Sequence, residues 1–184
     1  MSTTFGGFRL FKPVDTNSTM QLASAASTAI SVGDLLYWDT SAKTLKPMDV
    51  YVGSGTAATD RTALSPLFAG VALQGKLAAD TTSGYPGFSG EVISCATDAL
   101  YEAACVSATF EPGTLMAVVS SGAAAAGAIS PQTLVATTTA EQAIGYVVER
   151  YASATTTVRV RLIGRWSPFK YCDVNNITPA INVL

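Results

Sequence analysis

The stretch Thr157-Val158-Arg159-Val160-Arg161-Leu162 decides how the rest of the chain is read. Val158, Val160 and Leu162 fall on one side of an extended backbone, and Arg159 and Arg161 on the other, the two-residue period of a half-buried strand. Working outward, six more short segments carry the same chemistry: Asp34–Trp38, Leu67–Leu73, Glu91–Cys95, Leu100–Val106, Thr114–Val119 and Ala143–Glu149, with the strand of the opening stretch itself read as Thr156–Ile163. All are rich in Val, Ile, Leu, Tyr and Thr and are bounded by Gly, Pro, Asp and Ser, as strands of a sandwich or barrel are. No segment shows a long, capped 3.6-residue period. The best helix candidates are Thr19–Ala29 and the Ala123–Ala126 neighbourhood, which Gly122 and Gly127 punctuate. The polar stretch Tyr51–Ser65 reads as a surface loop.

The two halves echo one another. Ile30-Ser31-Val32-Gly33-Asp34-Leu35-Leu36 is similar to Phe110-Glu111-Pro112-Gly113-Thr114-Leu115-Met116, and Phe68-Ala69-Gly70-Val71-Ala72 to Ile144-Gly145-Tyr146-Val147-Val148. Each copy opens with a glycine turn before an apolar strand and returns through a strand containing glycine, the pattern of a duplicated β-unit. The expected organisation is an N-terminal arm (1–29), a β-barrel-like domain (30–166) with repeats at 30–95 and 108–165, and a C-terminal arm (167–184). The arms are dotted with apolar residues: Phe5, Phe8, Leu10 and Phe11 in the first, and Phe169 and Tyr171, just beyond Trp166, in the second.

Composition narrows the chemistry. The 184 residues are 48% hydrophobic and 13% charged, with no histidine and a net charge of -2. Without histidine there is no Ser-His or Cys-His pair, no His-ligated metal and no imidazole switch. The acidic balance argues against a nucleic-acid partner. So low a charge, with abundant Ser, Thr and Ala, suits a surface covered by neighbours. Charge is uneven: five basic residues and no acid lie between Arg150 and Lys170, a solvated strand face or a contact with an acidic neighbour.

Chemical motifs are lacking. There is no phosphate-binding loop, Gly53-Ser54-Gly55 lacks the third glycine of a dinucleotide fingerprint, and Gly87-Phe88-Ser89-Gly90 misses a nucleophile elbow by one position. Asp34 and Asp39 lie five apart and Asp98 and Glu102 four apart; on a strand the second pair would share a face, but such residues more often sit on solvated turns and faces than in a catalytic cleft. Asp60 lies in no acidic calcium loop. Cys95, Cys105 and Cys172 read as reduced thiols, with a Cys95–Cys105 bridge as the alternative. No basic n-region with an apolar run opens the sequence, and the apolar stretch 115–129 is too short to span a bilayer. No enzyme activity, cofactor, metal or membrane partner is expected.

Taken together, Ala29 to Leu36, Phe68 to Ala72, Gly90-Glu91-Val92, Pro112 to Leu115 and Ala143 to Val147 resemble the capsid decoration, or cement, proteins of tailed bacteriophages. The resemblance covers residues 29–165, and the chain departs from smaller family members in the Tyr51–Ser65 insertion and the long C-terminal arm. It implies an all-β fold, a small β-barrel or β-tulip domain, often trimeric. It further implies synthesis in the host cytoplasm and a place on the outer surface of the capsid, where the protein bridges major capsid protein subunits. Phe5, Phe8, Leu10, Phe11, Trp166, Phe169 and Tyr171 are the expected contact residues. The competing readings are another virion part, such as a head-fibre base or minor tail protein, and a β-barrel that binds a carbohydrate or other ligand.

Overall fold

The structure is a computed structural model that describes residues 8–12, 19–79, 92–96, 99–129 and 132–166, with side chains at 22–79, 99–129 and 132–166. The described residues form β1 (Phe8–Lys12), β2 (Thr19–Ala23), β3 (Leu35–Asp39), β4 (Thr44–Pro47), α1 (Ala57–Leu64), β5 (Phe68–Ala72), β6 (Val92–Ala96), β7 (Leu100–Phe110), β8 (Leu115–Val118), β9 (Leu134–Ala136), β10 (Gly145–Val147) and β11 (Tyr151–Leu162), with 3-10 turns at Met48–Val50, Ser65–Leu67 and Ala140–Gln142. The fold is all-β with one short helix, as the alternation in the sequence predicts.

The strands make two sheets. One runs β2-β6-β5-β3-β4, and a parallel bridge between Ser24 and Leu45 joins its ends. The other runs β7-β11-β10-β8-β9, with β1 added at the outer edge of β7, and a parallel bridge between Cys105 and Leu134 closes it into a five-stranded barrel. The long β7–β11 pair is its backbone. Val158 stands opposite Ala103 and Val160 opposite Tyr101, so the inward residues of both strands meet on one face. Val158, Val160 and Leu162 are buried and Arg159 and Arg161 are not, which is the facing read from the sequence.

The larger apolar core joins the two sheets. Tyr101, Met116, Leu134, Ile144, Val147 and Val160 from the second pack with Leu35, Tyr37, Phe68 and Val71 from the first. A smaller core of Ile30, Leu36, Leu45, Ala69 and Ala72 lies on the other face of the first sheet. Residues Leu35 and Leu36 thus face opposite ways yet are both fully buried, and each contributes about 1.5–3 kcal/mol by leaving water.

All seven strands read from the sequence are present, most of them within a residue or two at each end. Four more, β1, β2, β4 and β9, were not read. The helix expected at Thr19–Ala29 is instead strand β2, because five consecutive residues pair with β6. Ala123–Ala126 is not helical either; Ala126 bridges to Val52. The loop expected at Tyr51–Ser65 contains α1, which opens after Thr56 in extended backbone and is anchored by the buried residues Asp60 and Leu64.

Candidate functional site

Trp166 is the one expected contact residue whose side chain is described. It is half-buried and meets Trp38 edge-on, ring centroids 5.5 Å apart, against the smaller core. Its neighbour Arg165 donates its amide to the Phe68 carbonyl at 2.5 Å and its guanidinium to the Pro66 carbonyl at 3.2 Å, so residues 165–166 are tied to the first sheet. Phe8, Leu10 and Phe11 lie in β1, where Phe8 stands opposite Ala103 and Leu10 opposite Tyr101, and the register shifts between Leu10 and Lys12. Phe5, Phe169 and Tyr171 lie outside the described residues. The structure therefore sets β1 along β7 of the second sheet, and Trp166 on the first sheet.

The basic run is spent largely within the chain. Arg150 pairs with Glu111 at 3.0 Å, Arg159 with Glu149 at 2.5 Å, and Arg165 caps Pro66. Both ion pairs are solvent-exposed, so each is screened by water and contributes little to stability. On the first sheet, Lys46 pairs with Asp39 at 2.6 Å, and this bond, with those from Ser41 and Ala42, holds the Asp39 carboxyl well below the usual carboxylate range.

Asp34 and Asp60 are buried, and each is occupied by donors. Asp60 accepts the Ser54 amide at 2.7 Å and hydroxyl at 2.8 Å on one oxygen, and the Ser120 hydroxyl at 2.6 Å on the other. Burial pushes its pKa up, but these bonds outweigh burial and leave it below the usual value. Asp34 accepts the Ser31 amide at 2.7 Å and the Gln132 amide nitrogen at 3.2 Å, while the Gln132 carbonyl accepts the Leu35 amide. There burial prevails and the carboxyl titrates higher than usual, with the nearby Asp49 charge adding to the rise. Both carboxylates tie distant segments together, and Asp60 is a structural node between Ser54 and Ser120. Asp98 lies outside the described residues, and with it the Asp98–Glu102 pair. Cys105 is a free, buried thiol near the Thr155 carbonyl, so the Cys95–Cys105 bridge is not formed. Among the described residues no three His, Cys, Asp or Glu side chains cluster to hold a metal, and no helix is long and apolar enough to cross a membrane.

One part of the described surface is neutral β-structure. The outer halves of β7 and β11 pair as a ribbon, Tyr151 opposite Phe110 and Thr155 opposite Ala108, whose residues Val106, Ser107, Thr109, Ala152, Ser153, Ala154, Thr156 and Thr157 are exposed and uncharged. Val32 is 53% exposed at the corner that leads into β3. Such a ribbon offers shape and backbone for contact with another protein.

Fold and surface describe an all-β protein with an uncharged, exposed β-ribbon. The comparison with families goes further. Residues 12–86 match the model of the phage cement protein family, so the likeness read from the sequence stands over that stretch. No curated protein matches the chain. Sequence reasoning reached the likeness that the match shows over residues 12–86 but missed the Asp60 node, whose partners Ser54 and Ser120 are far apart along the chain.

Proposed function

We propose that this protein decorates the outer surface of a bacteriophage capsid as a homotrimer and stabilises it by bridging neighbouring major capsid protein subunits. The observation that carries the reading is the cement-family match over residues 12–86, on a chain that presents a neutral ribbon at the outer halves of β7 and β11. Many copies, each binding modestly, add up to a large stabilisation of a closed shell. The contacts are proposed to run through Phe5, Phe8, Leu10 and Phe11 at one end and Trp166, Phe169 and Tyr171 at the other. Trp166 already spends part of its ring on Trp38, so it contributes through the face that remains exposed.

The test mixes the purified chain with undecorated capsids and pellets them. Co-pelleting at a copy number comparable to that of the capsid subunit, with a raised particle melting temperature, is the expected result. A chain that stays in the supernatant overturns the proposal. Exchanging Phe5, Phe8, Leu10 and Phe11 together for Ser is expected to abolish co-pelleting and leave the circular dichroism of the β-fold in place. Undiminished pelleting of that variant removes the N-terminal arm from the interface.

A further inference from the structure

The two sheets are built alike in more than strand number. Counted in chain order within each, both run first, fifth, fourth, second, third, and both join first to third by one parallel bridge, Ser24 to Leu45 and Cys105 to Leu134. Their registers correspond as well. Leu35 faces Val71 and Leu36 faces Gly70 in one; Leu115 faces Tyr146 and Met116 faces Gly145 in the other. A 3-10 turn precedes the fourth strand in each, at Ser65–Leu67 and Ala140–Gln142.

The closest agreement is at one corner. The Gly33 amide donates to the Ala72 carbonyl at 2.9 Å, and the Ala72 amide returns to the Asp34 carbonyl at 2.9 Å. The Gly113 amide donates to the Val147 carbonyl at 2.8 Å, and the Val147 amide returns to the Thr114 carbonyl at 2.9 Å. Both glycines are left-handed, φ 91° and 86°. In both, the residue after the glycine closes the turn with its side chain, Asp34 accepting the Ser31 amide and Thr114 accepting the Glu111 amide. Strand order, register, closure and corner all coincide, which separate origins do not explain.

The units differ chiefly by insertions. In the first, Met48–Leu64 with α1 fills a connection that the second makes in a few residues; in the second, residues 119–133 lengthen a hairpin that is a tight turn at 40–43 in the first. These two insertions meet: the Gly53 amide donates to the Ala125 carbonyl, Val52 bridges Ala126, and Asp60 takes Ser120. The units are thus fastened by parts that neither shares with the other.

The family match at 12–86 falls almost wholly on the first unit. We propose that residues 100–162 are a second cement unit, and that the two units dock through their equivalent corners, so that one chain spans two neighbouring copies of the same capsid subunit. The corners suit this because both are exposed, both are rigidly clamped, and each carries an apolar residue at the same point, Val32 and Pro112. Corners alike in backbone and in their apolar residue suit like targets, and a shell of repeated subunits supplies these at a fixed spacing.

The inference rests on the capsid reading, and its test separates the two. Full-length Val32→Glu, Pro112→Glu and the double variant are titrated onto undecorated capsids, with melting temperature as the check on folding. Each single variant is expected to weaken binding by about 10- to 100-fold, through loss of the avidity of a second attachment, and the double to abolish it. If the wild type binds and Pro112→Glu binds as well as it does, the second unit does not dock and the inference falls. Equal binding by all three variants overturns corner docking in both units. A wild type that fails to bind removes the capsid reading itself. A map of the decorated particle provides the independent check: each chain should set both corners on the same segment of two adjacent subunits, and a single corner in contact contradicts the proposal.

Discussion

Asp60 shows what a buried charge does when its partners are all within the fold. Its carboxylate satisfies three donors from two separate segments, and those bonds keep it ionised despite its burial. A carboxyl whose folded pKa lies below its unfolded value stabilises the fold at pH values above the unfolded pKa of about 3.9, and that contribution is lost as pH falls through the folded value. Asp60→Asn should therefore cost about 1.5–3 kcal/mol in urea unfolding at pH 7, the worth of hydrogen bonds to a charged group. The deficit should shrink as the unfolding is repeated toward pH 2; a constant deficit would show that the charge is irrelevant. Asp34 has the opposite sign. Its raised pKa makes its contribution largest at low pH, and that contribution falls as pH rises through the folded value.

Among the elements, two glycines separate two kinds of backbone cost. Gly113 has φ 86° and open space around its absent side chain, so Gly113→Ala meets only the conformational penalty, about 1–2 kcal/mol. Gly145 has no such φ, but an added methyl would stand against the Arg161 carbonyl oxygen and 3.0 Å from the Leu162 Cα in the paired strand β11. Backbone cannot yield as a side chain does, so Gly145→Ala should cost more, about 2–3 kcal/mol, and push β10 from β11. Thermal unfolding of the two variants side by side checks the order; a Gly113 variant that is the less stable would refute it. The strands that the sequence made legible are those whose alternation is strong, above all Val158, Val160 and Leu162. β2 was hidden because Met20, Gln21, Leu22 and Ala23 are good helix formers, and only pairing with β6 makes them a strand. α1 was hidden for the converse reason: Ala57–Leu64 sits among Gly, Ser and Thr, and it is held by Asp60 and Leu64 through tertiary contacts.

Across the whole molecule, what could not be read in advance is how the sheets meet. The contacts from Asp60 to Ser120, Asp34 to Gln132 and Val52 to Ala126 join residues far apart in sequence, and no local pattern announces them. The proposed contact surface was legible only as a composition, low in charge and rich in Ser, Thr and Ala, because what would make it a site is its partner. The ring closures have a further consequence. Each sheet is sealed by a single parallel bridge, whereas β7 and β11 pair over most of their length. A cylinder so made has a seam, and thermal breathing begins where fewest bonds must break together. Amide hydrogen exchange should reveal it: the Ala25 amide, which donates across the seam to Leu45 at 2.9 Å, should trade its proton for deuterium at least 10-fold faster than that of Val160. If the seam amide proves as slow as the long hairpin's, the barrel opens only by unfolding as a whole.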